Sequence, residues 1–508
     1  MGLGDALRHG AERHPQKLAL VTPERSWSFA DLDAASTKLA AALLRAGQAP
    51  GDRIALHFTN SYELPVCLYA CFKAGLIAVP LNTRMKGTEL AYVLNHCGAR
   101  VYLGQASLYG ELHDSRGAIA FDDFFITGDR TPFTNVAAFD TLLEPSAPTV
   151  VEAPVHLSDV ADDQVAVIMY TSGTTARPKG VTHTHRTLGT MARHGGAVAE
   201  AVAGDVTGIV LPACHIFGLS ALVSTWLDGN TVVMIPRFDP GLVLEQLQAH
   251  RVTIFAALPV MLNALVHHPT AASFDLSAMR VSIAGGDAVA TELQRRFKAT
   301  FGCDVTEACG MTEVQPYACN PLYGRGKIGS IGKAAPGTTL RLVDPFDVDV
   351  AAGEPGEVLV RSGATMIGYW NDAENTAATI RNGWLGTGDL ARLDEDGYYW
   401  FVGRTKEIII RAGSNISPLE VEEALYQHPA VREVGVVGAP DELLGEVVVA
   451  YVALKTGASA SETELQDFLS GRLAAYKVPA HIRFVPELPK GLTGKVQRKV
   501  LKELASRA

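Results

Sequence analysis

The run Tyr170-Thr171-Ser172-Gly173-Thr174-Thr175-Ala176-Arg177-Pro178-Lys179-Gly180 follows directly on an apolar stretch, QVAVIMY. A Gly/Ser/Thr loop at a strand end offers backbone N–H groups and hydroxyls to phosphate oxygens, and Lys179 adds positive charge. The GxxxxGK[ST] spacing of a Walker loop is not met, so the pattern indicates phosphate binding of another kind. A second concentration of chemistry lies near the end. From Arg472 onward there are nine Lys/Arg against two Glu, about +7 over the last 37 residues. Such a surface is either a solvated terminal helix or one that meets a polyanion. Within it, Lys495 sits in a Gly-rich loop, GLTGKVQ. A fixed cation where two anions are forced together lowers the barrier, typically by about 10²–10³ in rate. His215, Glu313 and Asp389 complete the candidates, and each has a plainer reading. His215 could be a core histidine, Glu313 a surface carboxylate, and Asp389 a turn residue after Gly388.

These residues need a scaffold, and the chain supplies an alternating one. Ser28 with Asp31 forms a capping box before a helical run that ends at Gly47. The strand DRIALHF follows, Ser61 opens a second helix, Gly75 stops it, and LIAVPL is the next strand. Strand–helix–strand at this spacing predicts an α/β fold with parallel pairing. The runs 164–170, 208–213, 231–236, 252–258 and 280–286 are continuously apolar, as suits strands covered on both faces. After about residue 330, short strands and Gly/Asp/Pro turns predict a β-rich subdomain. From about Glu407 a compact α+β unit begins. The expected domains are 1–405 and 406–508, with a hinge rather than a tether between them.

The 508 residues, with 47% hydrophobic and 19% charged, exclude a disordered chain or a small disulfide scaffold. A net charge of −10 argues against nucleic acid as a partner. Seven cysteines without CxxC or Cys/His spacing suit reduced thiols in the cytoplasm and no structural zinc. The N-terminus lacks the apolar core of a signal peptide, and Ala6 lies where a myristoylation signal wants Ser or Thr. Lys73, Gly75 and Pro80 interrupt the apolar stretch Leu64–Leu81, which predicts a buried helix and strand rather than a membrane span. A second copy of the chain is an allowed partner.

The 170–180 string resembles the signature loop of the adenylate-forming superfamily, which includes acyl- and aryl-CoA ligases, luciferase and peptide-synthetase adenylation domains. Ala176 stands where that family usually has Gly. Five further segments resemble the family in its own order: LPACHIFGL with His215, SIAGGDA with Gly285, Gly286 and Asp287, ACGMTE with Cys309, Gly310, Thr312 and Glu313, TGDLARLDEDGYYWFVGRTKEIIIRAG with Asp389, Arg404, Lys406 and Gly413, and LPKGLTGKVQRK with Lys495. The family usually has Tyr, stacked on adenine, where Cys309 stands. It often has two glycines where this chain has Ala412 and Gly413.

The resemblance implies a reaction in two steps, with ATP, Mg²⁺ and coenzyme A as cofactors. A carboxylic acid and MgATP give an acyl-adenylate and pyrophosphate, and a thiol then displaces AMP. It also implies roles. Thr171 to Thr175 (Thr171, Ser172, Gly173, Thr174, Thr175) and Lys179 bind phosphate. Glu313 holds magnesium with Thr171, Asp389 accepts the ribose hydroxyls, and Arg404 lies beside them. Gly285, Gly286, Asp287, Cys309 and Gly310 border adenine, His215 gates the acid pocket, and Thr312 and Lys495 serve the chemistry. Arg84 meets the CoA phosphates, Gly413 borders the pantetheine tunnel, and Lys406 is the hinge. Alternatives are an aryl-CoA ligase, transfer to a carrier protein, and a binding protein that has lost catalysis. Amino-acid-activating members carry an Asp where HIFGLS has none, and no carrier domain follows Ala508. The expected pocket segments HIFGLS, FAALPVML and SIAGGDA contain no Arg or Lys, which favours an apolar monocarboxylic, fatty acid over a dicarboxylate. Ala256, Ala257, Gly285 and Gly286 leave room for an acyl chain.

Overall fold

The structure is a computed structural model that describes residues 2–121, 123–143, 160–171, 177–287, 289–491 and 496–506. Helices Phe29–Arg45 and Glu63–Ala74 lie between two large sheets, and their side chains merge the two faces into one core. Eleven of the twelve residues of Glu63–Ala74 are buried. The exception, Lys73, donates to Asp33 Oδ1 at 2.6 Å. A helix apolar on every side has to be covered on every side, and this one is. The capping box at Ser28 and Asp31 forms as expected. The second helix begins one residue later than the sequence suggests, with Tyr62 at its N-cap, and the Ser61 hydroxyl accepts from Gln105 Nε2 at 3.2 Å instead of capping.

One sheet has nine strands, in the order 333–334, 314–319, 305–311, 281–285, 254–257, 206–209, 231–234, 18–21, 26–28. Its central strands are parallel, as continuous apolar runs require. The other has eight strands, in the order 368–369, 179–184, 165–171, 77–80, 53–57, 99–105, 123–127, 137–138. A five-stranded antiparallel sheet covering 338–404 is the β-rich subdomain. Beyond it, the C-terminal domain packs helices 418–426, 462–470 and 498–506 on its own five-stranded sheet, with separate apolar clusters. The fold is therefore α/β, with a large N-terminal and a small C-terminal domain. Among the described residues no helix is long and apolar enough to cross a membrane.

Candidate active site

Parallel strands present their carboxyl ends on one edge, and the candidate site lies there. Strand Val281–Gly285 ends in Gly285-Gly286, and strand Val305–Met311 turns back into Val314–Cys319. A Cβ on Gly285 would sit 2.7 Å from the Ala308 carbonyl oxygen, so only glycine lets these strand ends close up. The hairpin pairs Cys309 with Ala318, which puts Tyr317 beside it.

Tyr317 is the centre of a buried network that sequence reasoning missed. Its hydroxyl donates to Asp389 Oδ2 at 2.6 Å and accepts from Cys309 Sγ at 2.8 Å. Burial and the Asp389 charge push the Cys309 thiol up to about 12, so it is no nucleophile. Asp389 is 2% exposed. Arg404 Nε lies 3.0 Å from Asp389 Oδ1, yet among the described residues that oxygen receives no aligned hydrogen bond. A buried carboxylate oxygen with an open acceptor direction suits a hydroxyl-bearing ligand. Asp389 and Arg404 face each other because their strands pair in that register.

Glu313 is buried and accepts from Tyr369 Oη at 2.8 Å. Burial raises its carboxyl, while the tyrosine bond and the Arg404 and Lys179 charges oppose that. Lys179 Nζ donates to Asn375 Oδ1 at 2.6 Å and lies 4.9 Å from the Tyr369 ring centroid. Thr171 and Lys179 are register partners at the loop end of their hairpin. Ser172, Gly173, Thr174 and Thr175, which join them, lie outside the described residues, as does Lys495. The base of the Lys495 loop is described: Lys490 pairs with Val496, and Gln497 N donates to the Pro489 carbonyl at 2.8 Å. His183, also missed, is buried and held neutral by desolvation, its value lowered to about 4. It therefore donates from Nε2 to the Thr312 carbonyl at 2.8 Å and accepts from Thr187 at Nδ1, fixing the Thr312–Glu313 corner.

His215 stands at the N-cap position of helix Ile216–Leu227, and its Nε2 lies 3.4 Å from Asn82 Nδ2. Buried Asn60 holds the approach to it, donating to the Leu211 and Ile235 carbonyls and accepting from Ala213 N. His215 lines a cavity of about 260 Å³ together with Arg84, Gly285, Gly286, Cys309, Gly310 and Thr312. Ala256 lines it too, whereas Ala257 is turned into the core behind. Lys179 lines a second pocket, of about 300 Å³, with Arg177 and His96. Asp287 does not line the acid cavity. It is exposed, and its charge acts on Glu422, Tyr426 and Arg498 of the C-terminal domain. Gly413 forms an open hairpin tip, with nothing within 4 Å of a Cβ placed there. Glu407 pairs with Arg498 at 3.1 Å, leaving Lys406 exposed and without an ion pair among the described residues.

Two sheets whose strand ends bring together a buried carboxylate, the paired ends Thr171 and Lys179 and an apolar cavity define a nucleotide-using α/β class. The chain belongs to the AMP-binding enzyme family, which matches residues 7–370, and the family's C-terminal domain matches 420–495. It is 34% identical to a long-chain-fatty-acid–CoA ligase of Bacillus subtilis, covering 99% of this chain and 94% of that one. It is also 34% identical to an indoleacetate–CoA ligase of Aromatoleum aromaticum, covering 100% and 99%. Among solved structures, the anthranilate CoA ligase AuaEII in complex with anthranoyl-AMP superimposes with a TM-score of 0.93 at 31% identity, covering 100% and 98% of the chains.

Proposed function

We propose that the protein is an acid–CoA ligase that converts a carboxylic acid, ATP and CoA into an acyl-CoA, AMP and pyrophosphate. The observation that carries this reading is the single cavity running from Gly310 and Thr312 past His215 into an apolar interior, beside the open acceptor of Asp389. It joins an acid-sized recess to a nucleotide-sized strand edge.

In the first step the carboxylate attacks the α-phosphorus and pyrophosphate leaves. Thr171, the loop Ser172 to Thr175 and Lys179 hold the phosphates. Gly285, Gly286, Cys309 and Gly310 border the base, with Asp287 at the rim. Asp389 Oδ1 accepts a ribose hydroxyl, with Arg404 beside it. Glu313, a lone buried carboxylate, fits Mg²⁺, which favours few protein carboxylates plus phosphate oxygens. With Thr171 it would hold the ion, whose charge neutralises the phosphates. Lys495 supplies the cation that the meeting of two anions requires. Thr312 and His215 position the acid at the cavity mouth.

In the second step a thiol attacks the acyl carbonyl and AMP leaves, a reaction that needs positioning more than a strong base. Arg84, exposed on the cavity rim, meets the CoA phosphates, and the Gly413 tip borders the pantetheine path. The two domains, 1–405 and 406–508, exchange Lys495 for Gly413 by rotation about Lys406. The acid is a monocarboxylate with an apolar body, and the setting is cytoplasmic, with homodimer assembly allowed. Pyrophosphate release from ATP over a panel of fatty and aromatic acids, followed by thioester formation on adding CoA, tests the reading. Release without thioester would redirect it to another acceptor, and no release with any acid would overturn it.

A further inference from the structure

The cavity does not end in apolar side chains. Helix Ile216–Leu227 forms one wall throughout, from His215 at its N-cap to Asp228 at its C-cap. Twelve residues at about 1.5 Å each make this wall about 18 Å long. Ser220, Ser224 and Asp228 recur every fourth residue along it, so they lie on one face. The opposite wall, with Ile254, Ala256 and Ile283, is apolar.

The polar groups of this stripe differ in one respect. The Ser220 hydroxyl is satisfied, accepting from Gln315 Nε2 at 2.6 Å and donating to the Phe217 carbonyl. Thr225 beside it donates to the Ala221 carbonyl at 2.8 Å. Among the described residues, the Ser224 hydroxyl has no hydrogen bond, although Ser224 is only 8% exposed. Nor does the carboxylate of Asp228, an exposed residue, have a hydrogen bond or an ion pair. The two converge: a Cβ on Gly196 would lie 2.8 Å from Asp228 Oδ2 and 3.2 Å from Ser224 Oγ. Asp228 also stands at the negative end of its helix, where a carboxylate is disfavoured. The one further charge that bears on it is that of Asp205, which is itself paired with Arg280.

We infer that Ser224 and Asp228 form a recognition site for a hydrogen-bond-donating group, hydroxyl or ammonium, at the far end of the acid. The inference rests on the acid–CoA ligase reading and deepens it: the acid has an apolar middle and a polar end. An alkyl terminus would leave the Ser224 hydroxyl unpaired, whereas a donor satisfies it and meets the Asp228 carboxylate at the exposed end of the cavity. The polar side chains of Thr207 and Asn230, which also line the cavity, are already bonded, Thr207 to Thr225 at 3.0 Å and Asn230 to the Val202 carbonyl at 2.9 Å.

The test compares kcat/KM for pyrophosphate release on matched acids: octanoate, decanoate and dodecanoate, each plain, ω-hydroxylated and ω-aminated. At the length that reaches Gly196, the substituted acids should exceed the plain one by about tenfold or more. Asp228→Asn should bring the amino-to-plain ratio towards one, and Ser224→Ala should do the same for the hydroxy-to-plain ratio. Gly196→Leu, which plugs the site without touching either group's chemistry, should abolish turnover of the reaching length and leave butanoate turned over. Plain acids matching or exceeding their substituted partners at every length would overturn the inference while leaving the ligase reading intact. So would unchanged ratios in both Asp228→Asn and Ser224→Ala. Absence of pyrophosphate release with every acid, butanoate included, would overturn the ligase reading and this site with it.

Discussion

The Asp389 corner of the large domain and the Gly413 tip of the C-terminal domain are built in opposite ways. At Asp389, a chain of contacts runs from Cys309 through Tyr317 and Asp389 to Arg404, on paired strands and with the carboxylate 2% exposed. At Gly413 a Cβ would meet nothing within 4 Å, and Ala412 before it adopts a left-handed φ of 48°. The first cannot move without breaking the hydrogen bond to a buried carboxylate, which is costly. The second can be presented or withdrawn at little internal cost. A reaction in two steps at one nucleotide needs this division. What holds the nucleotide must stay, and what serves only one step must leave.

Removing a group from the movable side should give the largest effect and should be confined to one step. Lys495→Ala is expected to slow acyl-adenylate formation by about 10²–10³ or more. Thioester formation from supplied acyl-adenylate should survive. Equal losses in both half-reactions, measured separately, would erase the division. A change on the fixed side should affect both steps together. Asp389→Asn is expected to raise KM for ATP by about tenfold or more, since bonds to a buried charge are strong. It should also weaken binding of the adenylate in the second step, readable by calorimetry. Arg84→Ala sharpens the comparison at the rim. It should raise KM for CoA about three- to tenfold and leave that for ATP nearly unchanged, as befits an exposed charge. The reverse pattern would move Arg84 to the nucleotide.

The smallest effect concerns stability. Burial pushes the Glu307 carboxyl up to about 8 from 4.5, although its bond from Gln294 opposes this. A carboxyl raised in the folded state is most favourable to folding below 4.5, and its contribution is lost as pH rises through about 8. Thermal unfolding should therefore shift downward over that window, and Glu307→Gln should flatten the slope.

The scaffold was legible because parallel strands covered on both faces leave unbroken apolar runs. The run read as 208–213 is strand only over Val206–Ile209, since Leu211 and Pro212 turn out of the sheet to deliver His215. Glu313 and Asp389 stand in the sequence as spaced motifs, and the structure buries both. Tyr317, Tyr369, Asn375 and His183 were not legible, because each reaches its partner from another strand or helix. Tyr317 is 72 residues from Asp389, and Tyr369 is 56 from Glu313. Ser224 and Asp228 were hidden differently. Their i,i+4 spacing is visible in the sequence, but only the packed helix shows that this face lines a cavity and that Ser220 is satisfied while Ser224 is not.

The central claim is that one fixed nucleotide corner serves two arrangements of a moving domain, pivoting at Lys406. Lys406 is exposed, carries no ion pair among the described residues, and lies between the strands Tyr399–Arg404 and Ile409–Arg411. Proline there would hold φ near −65° and remove a backbone N–H, trapping one orientation. The direct measurement is single-turnover kinetics of both half-reactions in Lys406→Pro, with its thermal unfolding matched to the parent protein. The account predicts near-normal acyl-adenylate formation and thioester formation slowed by about a hundredfold or more. Parent rates in both half-reactions would contradict it.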